Sequence, residues 1–318
     1  MKKFLKYFGI VILIIVVIIG AGATFISVRG IPSYEPGKIK MKVEVTPERL
    51  ERGKKLASLL CKQCHFDPKT GGLTGLIMDD APEEFGVLYS KNITQSEKYG
   101  IADWTDGELA YMLRTGINKH GKYTPPWMVK LPLISDEDLL SIITFLHSDD
   151  PLVKANDIPD RECEPSFLSK FLCYVAFKPL SYPQQPVVAP DTSDHIAYGR
   201  YLAAGVVDCY SCHSADFKTM DPMYPEKTVG FFGGGNQLFT PDKQVIFSAN
   251  LTFDPTGIKD WTVDQFTGAV MYGRRPDGRQ LRLPMLPFVN LDSAEVSYIY
   301  EFLKSIPPIH NEVKRNFN

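Results

Sequence analysis

The pentapeptide C-x-x-C-H occurs twice, as Cys61-Lys62-Gln63-Cys64-His65 and as Cys209-Tyr210-Ser211-Cys212-His213. The spacing is explained by one chemistry: two thiols add to the two vinyl groups of a single porphyrin, and the adjacent histidine then lies under the ring to ligate iron. A structural zinc site draws four ligands from paired C-x-x-C units, or from one such unit and two histidines. Here each pair carries its own immediate histidine and has no second pair nearby. A thioredoxin-like redox motif needs no such histidine and expects a strand-to-helix context, which is absent. The expectation is two molecules of covalently bound haem c. Cys61 and Cys64 hold one, Cys209 and Cys212 the other, with His65 and His213 as axial ligands.

At 318 residues the chain has room for two small domains, and a separation of 148 residues between the motifs suits a duplication. A net charge of -2, from 35 basic and 37 acidic residues, gives no electrostatic case for binding nucleic acid. The amino terminus is basic at Lys2, Lys3 and Lys6, then runs without a charge from Tyr7 to Val28 before Arg29. About 20 apolar residues cross a bilayer core, so this stretch suffices for one span. The lysines belong on the cytoplasmic side, which places everything after Arg29 outside the cytoplasm. A cleaved signal peptide is the competing reading, since Gly20, Ala21, Gly22 and Ala23 are small residues of the kind found at cleavage sites. The run exceeds a typical signal core, which favours a retained single-pass anchor with the haem domains on the outer side of the membrane. The cysteines outside the motifs are Cys163 and Cys173. In an oxidising compartment a disulfide between them is expected, with two free thiols as the alternative.

The second half aligns on the first at a constant offset of 157, from Trp104/Trp261 through Ser148/Ser305. Identity is low, so the evidence is the register. Upstream, Tyr89–Thr94 matches Phe247–Thr252 at an offset of 158, and Gly53 and Gly199 precede the two motifs. Thr46-Pro47 is an N-cap followed by proline in the first helical position, and the partner helix begins near Ser193. Thr105 with Glu108 and Thr262 with Gln265 are capping boxes opening a middle helix in each copy. Final helices open at Ser135 and Asp292, with Leu139, Ile142, Ile143 and Leu146, then Val296, Ile299, Phe302 and Leu303, on their buried faces. The expected fold class is all-α: two cytochrome c-like helical domains in tandem plus one N-terminal transmembrane helix. Its boundaries are 1–30 for the anchor, 31–45 for a linker, 46–150 for the first domain, 151–190 for a linker and 191–318 for the second domain. Residues 149–190 hold seven prolines, a linker composition. Within them Phe167, Leu168, Phe171, Leu172, Val175 and Phe177 form a short apolar helix expected at the domain interface, a second membrane contact being the lesser alternative.

The ligand opposite each histidine decides whether a haem passes electrons or does chemistry. Of Met78, Met112, Met128, Met220, Met223, Met271 and Met285, only Met128 and Met285 share a register, each in a proline-rich loop seven residues before a final helix N-cap. Prolines reduce the freedom lost when a thioether is held, so Met128 and Met285 are the expected second axial ligands. Met112 and Met271 fall on the middle helices and are assigned to the core. His120, His147, His195 and His310 have no histidine counterpart and read as surface or structural residues, although His120 precedes Met128 closely enough to replace it. The matched pairs Trp104/Trp261 and Asn92/Asn250 either hydrogen-bond a haem propionate or serve packing and turn formation. Gly233-Gly234-Gly235 lacks the rest of a phosphate-binding motif and is a loop. No Ser-His-Asp set, HExxH or carboxylate pair rises above background.

The Gly-Arg-Tyr-Leu-Ala run at 199–203, the Asn-Ile/Leu-Thr elements, Gly-Ile-x-x-Trp-Thr at 100–105 and 257–262, the proline-flanked methionines and the capped final helices resemble class I-type cytochrome c domains in tandem. Over roughly residues 46–318 the chain is similar to the membrane-bound cytochrome c subunits of bacterial alcohol, aldehyde and gluconate dehydrogenases, which usually carry three haem domains. The resemblance implies an electron carrier, not an enzyme, anchored in the bacterial cytoplasmic membrane with its haem domains on the periplasmic or extracellular side. It would relay single electrons through two His/Met-ligated haems, with a dehydrogenase subunit, a quinone-linked complex or a terminal oxidase as redox partners. The alternative is a dihaem enzyme, peroxidase-like or thiosulfate-oxidising, with one reactive haem whose asymmetry would come from His120, Cys163 or Cys173.

Overall fold

In a computed structural model, which describes residues 1–79 and 81–314, the chain opens with α1, Lys2–Arg29. No residue of α1 is buried, and its mean hydropathy reaches 2.9, so it is long and apolar enough to span a bilayer. Gly30, at φ 74, ends it. The next segment, expected as a linker, is laid on the body of the protein. Ser33 pairs with Lys122, Tyr34 N–H donates to Gly121 O at 2.8 Å, and Val43 N–H donates to Asp106 Oδ2 at 2.8 Å.

The first half then runs α2 (Pro47–Leu60), α3 (Lys62–His65), β1 (Gly86–Val87), α4 (Asp106–Thr115) and α5 (Asp136–Leu146). The connecting segment carries β2 (Glu164–Pro165) and α6 (Phe167–Val175). The second half contributes α7 (His195–Arg200), α8 (Cys209–Cys212), β3 (Gln237–Phe239), β4 (Val245–Phe247), α9 (Val263–Tyr272) and α10 (Ser293–Ser305). The expected caps are in place: Thr46 Oγ1 accepts from Arg49 N–H, Ser135 Oγ from Asp138 N–H, and Thr105, Thr262 and Asp292 each close a full capping box. One departure from expectation stands out. The molecule is mostly helical but not wholly so, because β1 pairs with β2 and β3 with β4 in antiparallel ribbons. α7 opens beside the expected Ser193, with Asp194 as its N-cap.

Gly53 and Gly199 explain how the first and last helices of each half meet. A methyl group at Gly53 would lie 1.9 Å from Ser141 O on α5, and one at Gly199 would lie 1.9 Å from Tyr298 O on α10. Only glycine permits that approach of two backbones. Against these crossings the expected faces of α5 and α10 are buried, from Leu139 to Leu146 and from Val296 to Leu303. The spacing from glycine to the following motif is longer in the second half. Its extra residues are taken up by a π-helical stretch, Tyr201–Val206, between α7 and α8. Beyond the helices, main-chain hydrogen bonds recur at the repeat offset. Trp104 N–H to Ile101 O matches Trp261 N–H to Ile258 O, and Leu131 N–H to Leu113 O matches Phe288 N–H to Val270 O.

One core cluster extends through both halves, joining Leu131 and Ile134 to Tyr201, Leu202 and Val206. Polar contacts reinforce the junction. Arg52 on α2 grips Asp138 through Nε and Nη2, at 2.7 and 2.8 Å, and reaches Glu295 on α10 at 3.3 Å. Lys55 Nζ lies 2.7 Å from Glu295, and Tyr201 O–H donates to Asp138 at 2.6 Å. Burial opposes the Arg52 charge, yet Asp138 and Glu295 more than offset it and raise its pKa.

α6 forms as expected, but its principal neighbours are α1, β2 and the 3-10 turn at Glu83–Phe85 rather than the second half. Cys163 and Cys173 are not joined. Cys163 Sγ is engaged with the backbone N–H and C=O of Tyr89, while Cys173 is fully buried on the inner face of α6. The two thiols are thus committed to different surroundings, which corrects the expected disulfide.

Gly53→Ala and Gly199→Ala each force a methyl into a backbone carbonyl that has no rotamer to escape by. Each is expected to lower unfolding free energy by about 3 kcal/mol, the upper range for overpacking. Denaturant unfolding of each variant measures this.

Candidate haem sites

Each C-x-x-C-H motif is wound into a single helical turn. His65 N–H donates to Cys61 O and His213 N–H to Cys209 O, both at 2.9 Å. The thiols of a motif, three positions apart, therefore share one side of the turn. Burial pushes the Cys61 and Cys209 thiols up to about 12, so both are uncharged. Neutral thiols in apolar surroundings are poor metal ligands in their own right. Among the described residues no group of three or more His, Cys, Asp or Glu is placed to hold a metal ion.

The two imidazoles are oriented alike. His65 Nδ1 lies 2.7 Å from Lys91 O, and His213 Nδ1 lies 2.8 Å from Ala249 O. A carbonyl oxygen only accepts, so Nδ1 carries a hydrogen in both rings, and in the neutral ring Nε2 then keeps its lone pair. Burial lowers the His65 pKa, against the pull of the Lys91 carbonyl and Asp160, which favours the neutral ring. A neutral imidazole with its lone pair on Nε2 and Nδ1–H anchored to the backbone is the form that binds iron.

The residue after each acceptor carbonyl is the matched asparagine. Asn92 Oδ1 accepts from Thr94 N–H at 3.0 Å and Thr94 O–H at 2.7 Å, while its amide donates to Asn156 O and Ile158 O. Asn250 repeats this with Thr252, at 2.9 and 2.7 Å, and donates to Ile309 O at 2.7 Å. Both side chains are spent inside the protein, which favours turn formation over propionate contact for this pair. Trp104 and Trp261 are half-buried and pack against the core.

Sequence reasoning missed two glycines. Gly75 N–H donates to His65 O and Gly234 N–H to His213 O, both at 2.9 Å, and both residues have positive φ, 88 and 67. A methyl on Gly75 would lie 2.4 Å from Ser90 O, and one on Gly234 would lie 2.4 Å from the Ala249 carbonyl carbon. Each glycine thus lets the chain after the motif press against the strand-like segment that holds the histidine. The loops separating motif from glycine differ in length, so no common spacing signalled them.

Met128 and Met285 end matched turns, their N–H groups donating to Pro125 O and Arg282 O at 3.1 Å. Both are half-buried. Met128 packs against the core cluster, and its loop is held by Lys130 Nζ donating to Pro125 O at 2.7 Å. Burial pulls the Lys130 ammonium down to about 7. Met271 is buried in the core as expected, and Met112 is half-buried on α4. His120 is exposed in the loop before Met128. His147, His195 and His310 face Asp106, Glu301 and Asp254 at 3.4, 3.2 and 3.2 Å. With a cysteine pair, an imidazole anchored through Nδ1 and a thioether loop in each half, the side chains present suit a covalently attached haem.

Mostly helical packing around C-x-x-C-H turns is the architecture of the cytochrome c class, and comparison with known proteins points the same way. The chain is 26% identical over 261 residues to the gluconate 2-dehydrogenase cytochrome c subunit of Pantoea cypripedii, covering 77% of this chain and 56% of that protein. It is 28% identical over 237 residues to the alcohol dehydrogenase (quinone) cytochrome c subunit of Gluconobacter oxydans strain 621H, covering 71% and 47%. A diheme cytochrome c-type protein of Cereibacter sphaeroides is 25% identical over 163 residues, covering 48% and 53%. The chain is thus homologous to cytochrome c subunits of dehydrogenases, an electron-transfer class and not a substrate-oxidising one. It spans about half the length of the curated relatives it matches. No family model matches it.

Asn250→Ala leaves Thr252 N–H without its buried acceptor and Thr252 O–H with only Ile309 O, 3.3 Å away. A loss of about 2 kcal/mol is expected from such orphaned donors, with a similar loss for Asn92→Ala, read as the shift in denaturant midpoint.

Proposed function

We propose that this chain is a membrane-anchored dihaem c-type cytochrome that relays single electrons. In this reading residues 1–30 are the anchor, 46–150 and 191–318 are haem domains, and 31–45 and 151–190 connect them. Cys61, Cys64, Cys209 and Cys212 would hold the porphyrins by thioether bonds. His65 with Met128, and His213 with Met285, would fill the axial positions. The observation that carries the reading is the pair of bonds from His65 Nδ1 to Lys91 O and from His213 Nδ1 to Ala249 O. Two imidazoles, each one residue beyond a cysteine pair, present Nε2 in the same tautomer.

The haem would supply reversible one-electron chemistry, and ligation by histidine and methionine would raise its potential. The chain's own residues do the rest. The carbonyls of Lys91 and Ala249 fix the imidazoles, the two proline-bearing turns present the thioethers, and the cores exclude water. Since the relatives are named as dehydrogenase cytochrome subunits, a dehydrogenase is the proposed electron donor and the respiratory chain the acceptor. The haem domains lie on the outer side of the cytoplasmic membrane. His120, Cys163 and Cys173, the candidates for an asymmetric reactive haem, are respectively exposed, bonded to the Tyr89 backbone and buried in α6. None favours an enzymatic reading.

The purified chain is expected to be red, to keep its haem through acidified-solvent extraction, and to give two haems per polypeptide by pyridine haemochrome. Met128→Ala and Met285→Ala should each abolish the methionine–iron charge-transfer absorption of one haem and admit carbon monoxide there. A colourless chain, or variants with unchanged spectra and midpoint potentials, would refute the assignment.

A further inference from the structure

Helix α6 carries an apolar stripe that the other described residues leave uncovered. Phe167, Phe171 and Val175 follow at intervals of four, with Leu168 beside them, and all four are exposed, Val175 at 58%. Phe167 and Phe171 stack at 6.3 Å. The opposite face is committed inward, through Ser169, whose hydroxyl donates to Phe85 O at 2.8 Å, and through buried Cys173. A helix that seats one face on the protein and leaves an aromatic and aliphatic stripe on the other has an occupant still to be named.

Its position relative to α1 names that occupant. Tyr174 of α6 meets Phe25 of α1 with ring centroids 6.0 Å apart. Phe25 stands four residues before Arg29, the charge that ends the apolar run. At ~1.5 Å per residue, this contact lies about 6 Å inside the end of the apolar segment. Amphipathic helices lying in the membrane surface bury their apolar face to about 5–10 Å, the same depth. The body of the protein has little freedom to lift away, because Ser33 and Tyr34, just after α1 ends, are already bonded to Lys122 and Gly121.

We infer that α6 is an interfacial membrane helix, its Phe167, Leu168, Phe171 and Val175 stripe embedded in the lipid surface beside the point where α1 leaves the bilayer. This rests on α1 being the anchor. The stripe then sets the orientation of the protein: it pins the first half, through Ser166, Ser169 and the β1–β2 ribbon, against the membrane, and the chain is held at two adjacent places instead of swinging on α1 alone.

The test uses the full chain reconstituted in vesicles of phosphatidylethanolamine and phosphatidylglycerol that contain a phospholipid with a photoactivatable diazirine on its acyl chain. Irradiation, proteolysis and mass spectrometry locate the adducts. Adducts are expected on α1 and also on the peptide bearing residues 167–175. In F167S/F171S the α6 adducts should be lost while those on α1 and the haem spectrum persist. Adducts on α1 with none on α6 overturn the inference and leave the anchor standing, and would leave the stripe to a protein partner. Adducts on neither show that the anchor reading has failed, and the inference with it.

Discussion

A single backbone carbonyl in each half determines what the neighbouring cysteine motif can do. An imidazole has two nitrogens, and only when one donates to a fixed acceptor is the other committed to a lone pair. Lys91 O and Ala249 O are those acceptors. Their positions are set from several sides: Asn92 and Asn250 pull the following residue inward, and Gly75 and Gly234 pinch the segment against the chain that leaves the motif. Remove the segment's fixed course and the thiols still lie on a helical turn, but the ring beside them loses its tautomer and direction.

Most helices were legible because their signals are local. Thr105 with Glu108, Thr262 with Gln265 and Asp292 with Glu295 announce their own N-termini within four residues, and all three boxes close. The glycine crossings were legible as a repeat but not as a mechanism, since only the structure shows what a methyl at Gly53 or Gly199 would strike. What stayed hidden depends on distant pairing. The β1–β2 ribbon joins residues far apart in sequence, Gly86 with Pro165. The segment read as a linker from its prolines, 151–190, turns out to be docked, because proline reports the absence of helix and says nothing about contact. The asparagines were matched correctly, yet their partners at Asn156, Ile158 and Ile309 lie beyond the final helices, where the repeat no longer aligns.

The two halves share their framework and differ in their wrapping. The first is overlaid by the segment from Ser33 to Val43 and by the connection carrying α6, and Trp127 beside Met128 packs near Phe85. Beside Met128 the exposed large apolar residue is Val129, whereas around Met285 Leu283, Leu286 and Val289 are all exposed, the last at 62%. Solvent exposure and hydrogen bonding around an iron centre are among the levers that set its potential. In the proposed reading, two haems held by the same kinds of ligand on such unequal surfaces would differ in potential, and a difference of that kind would give an electron relay its direction.

The junction between the halves raises a separate question, why a boundary that apolar side chains already seal also contains ions. Glu295 is nearly buried, yet its carboxylate accepts from Asp292 N–H in a capping box and meets both Arg52 and Lys55. Asp138 is likewise saturated by Arg52 and Tyr201. Replacing a buried ion pair by apolar groups is often neutral or favourable, so stability alone is a weak reason for keeping one. Geometry is a better one. An apolar contact tolerates sliding, whereas the bidentate grip of Arg52 on Asp138 accepts one arrangement of α2 on α5, and the reach from Arg52 and Lys55 to Glu295 extends that register to α10. α2 leads into the first motif and α10 braces α7, which leads through the π-helical stretch into the second. A network that fixes these helices together therefore fixes the separation of the two proposed haems, the quantity on which transfer between them depends.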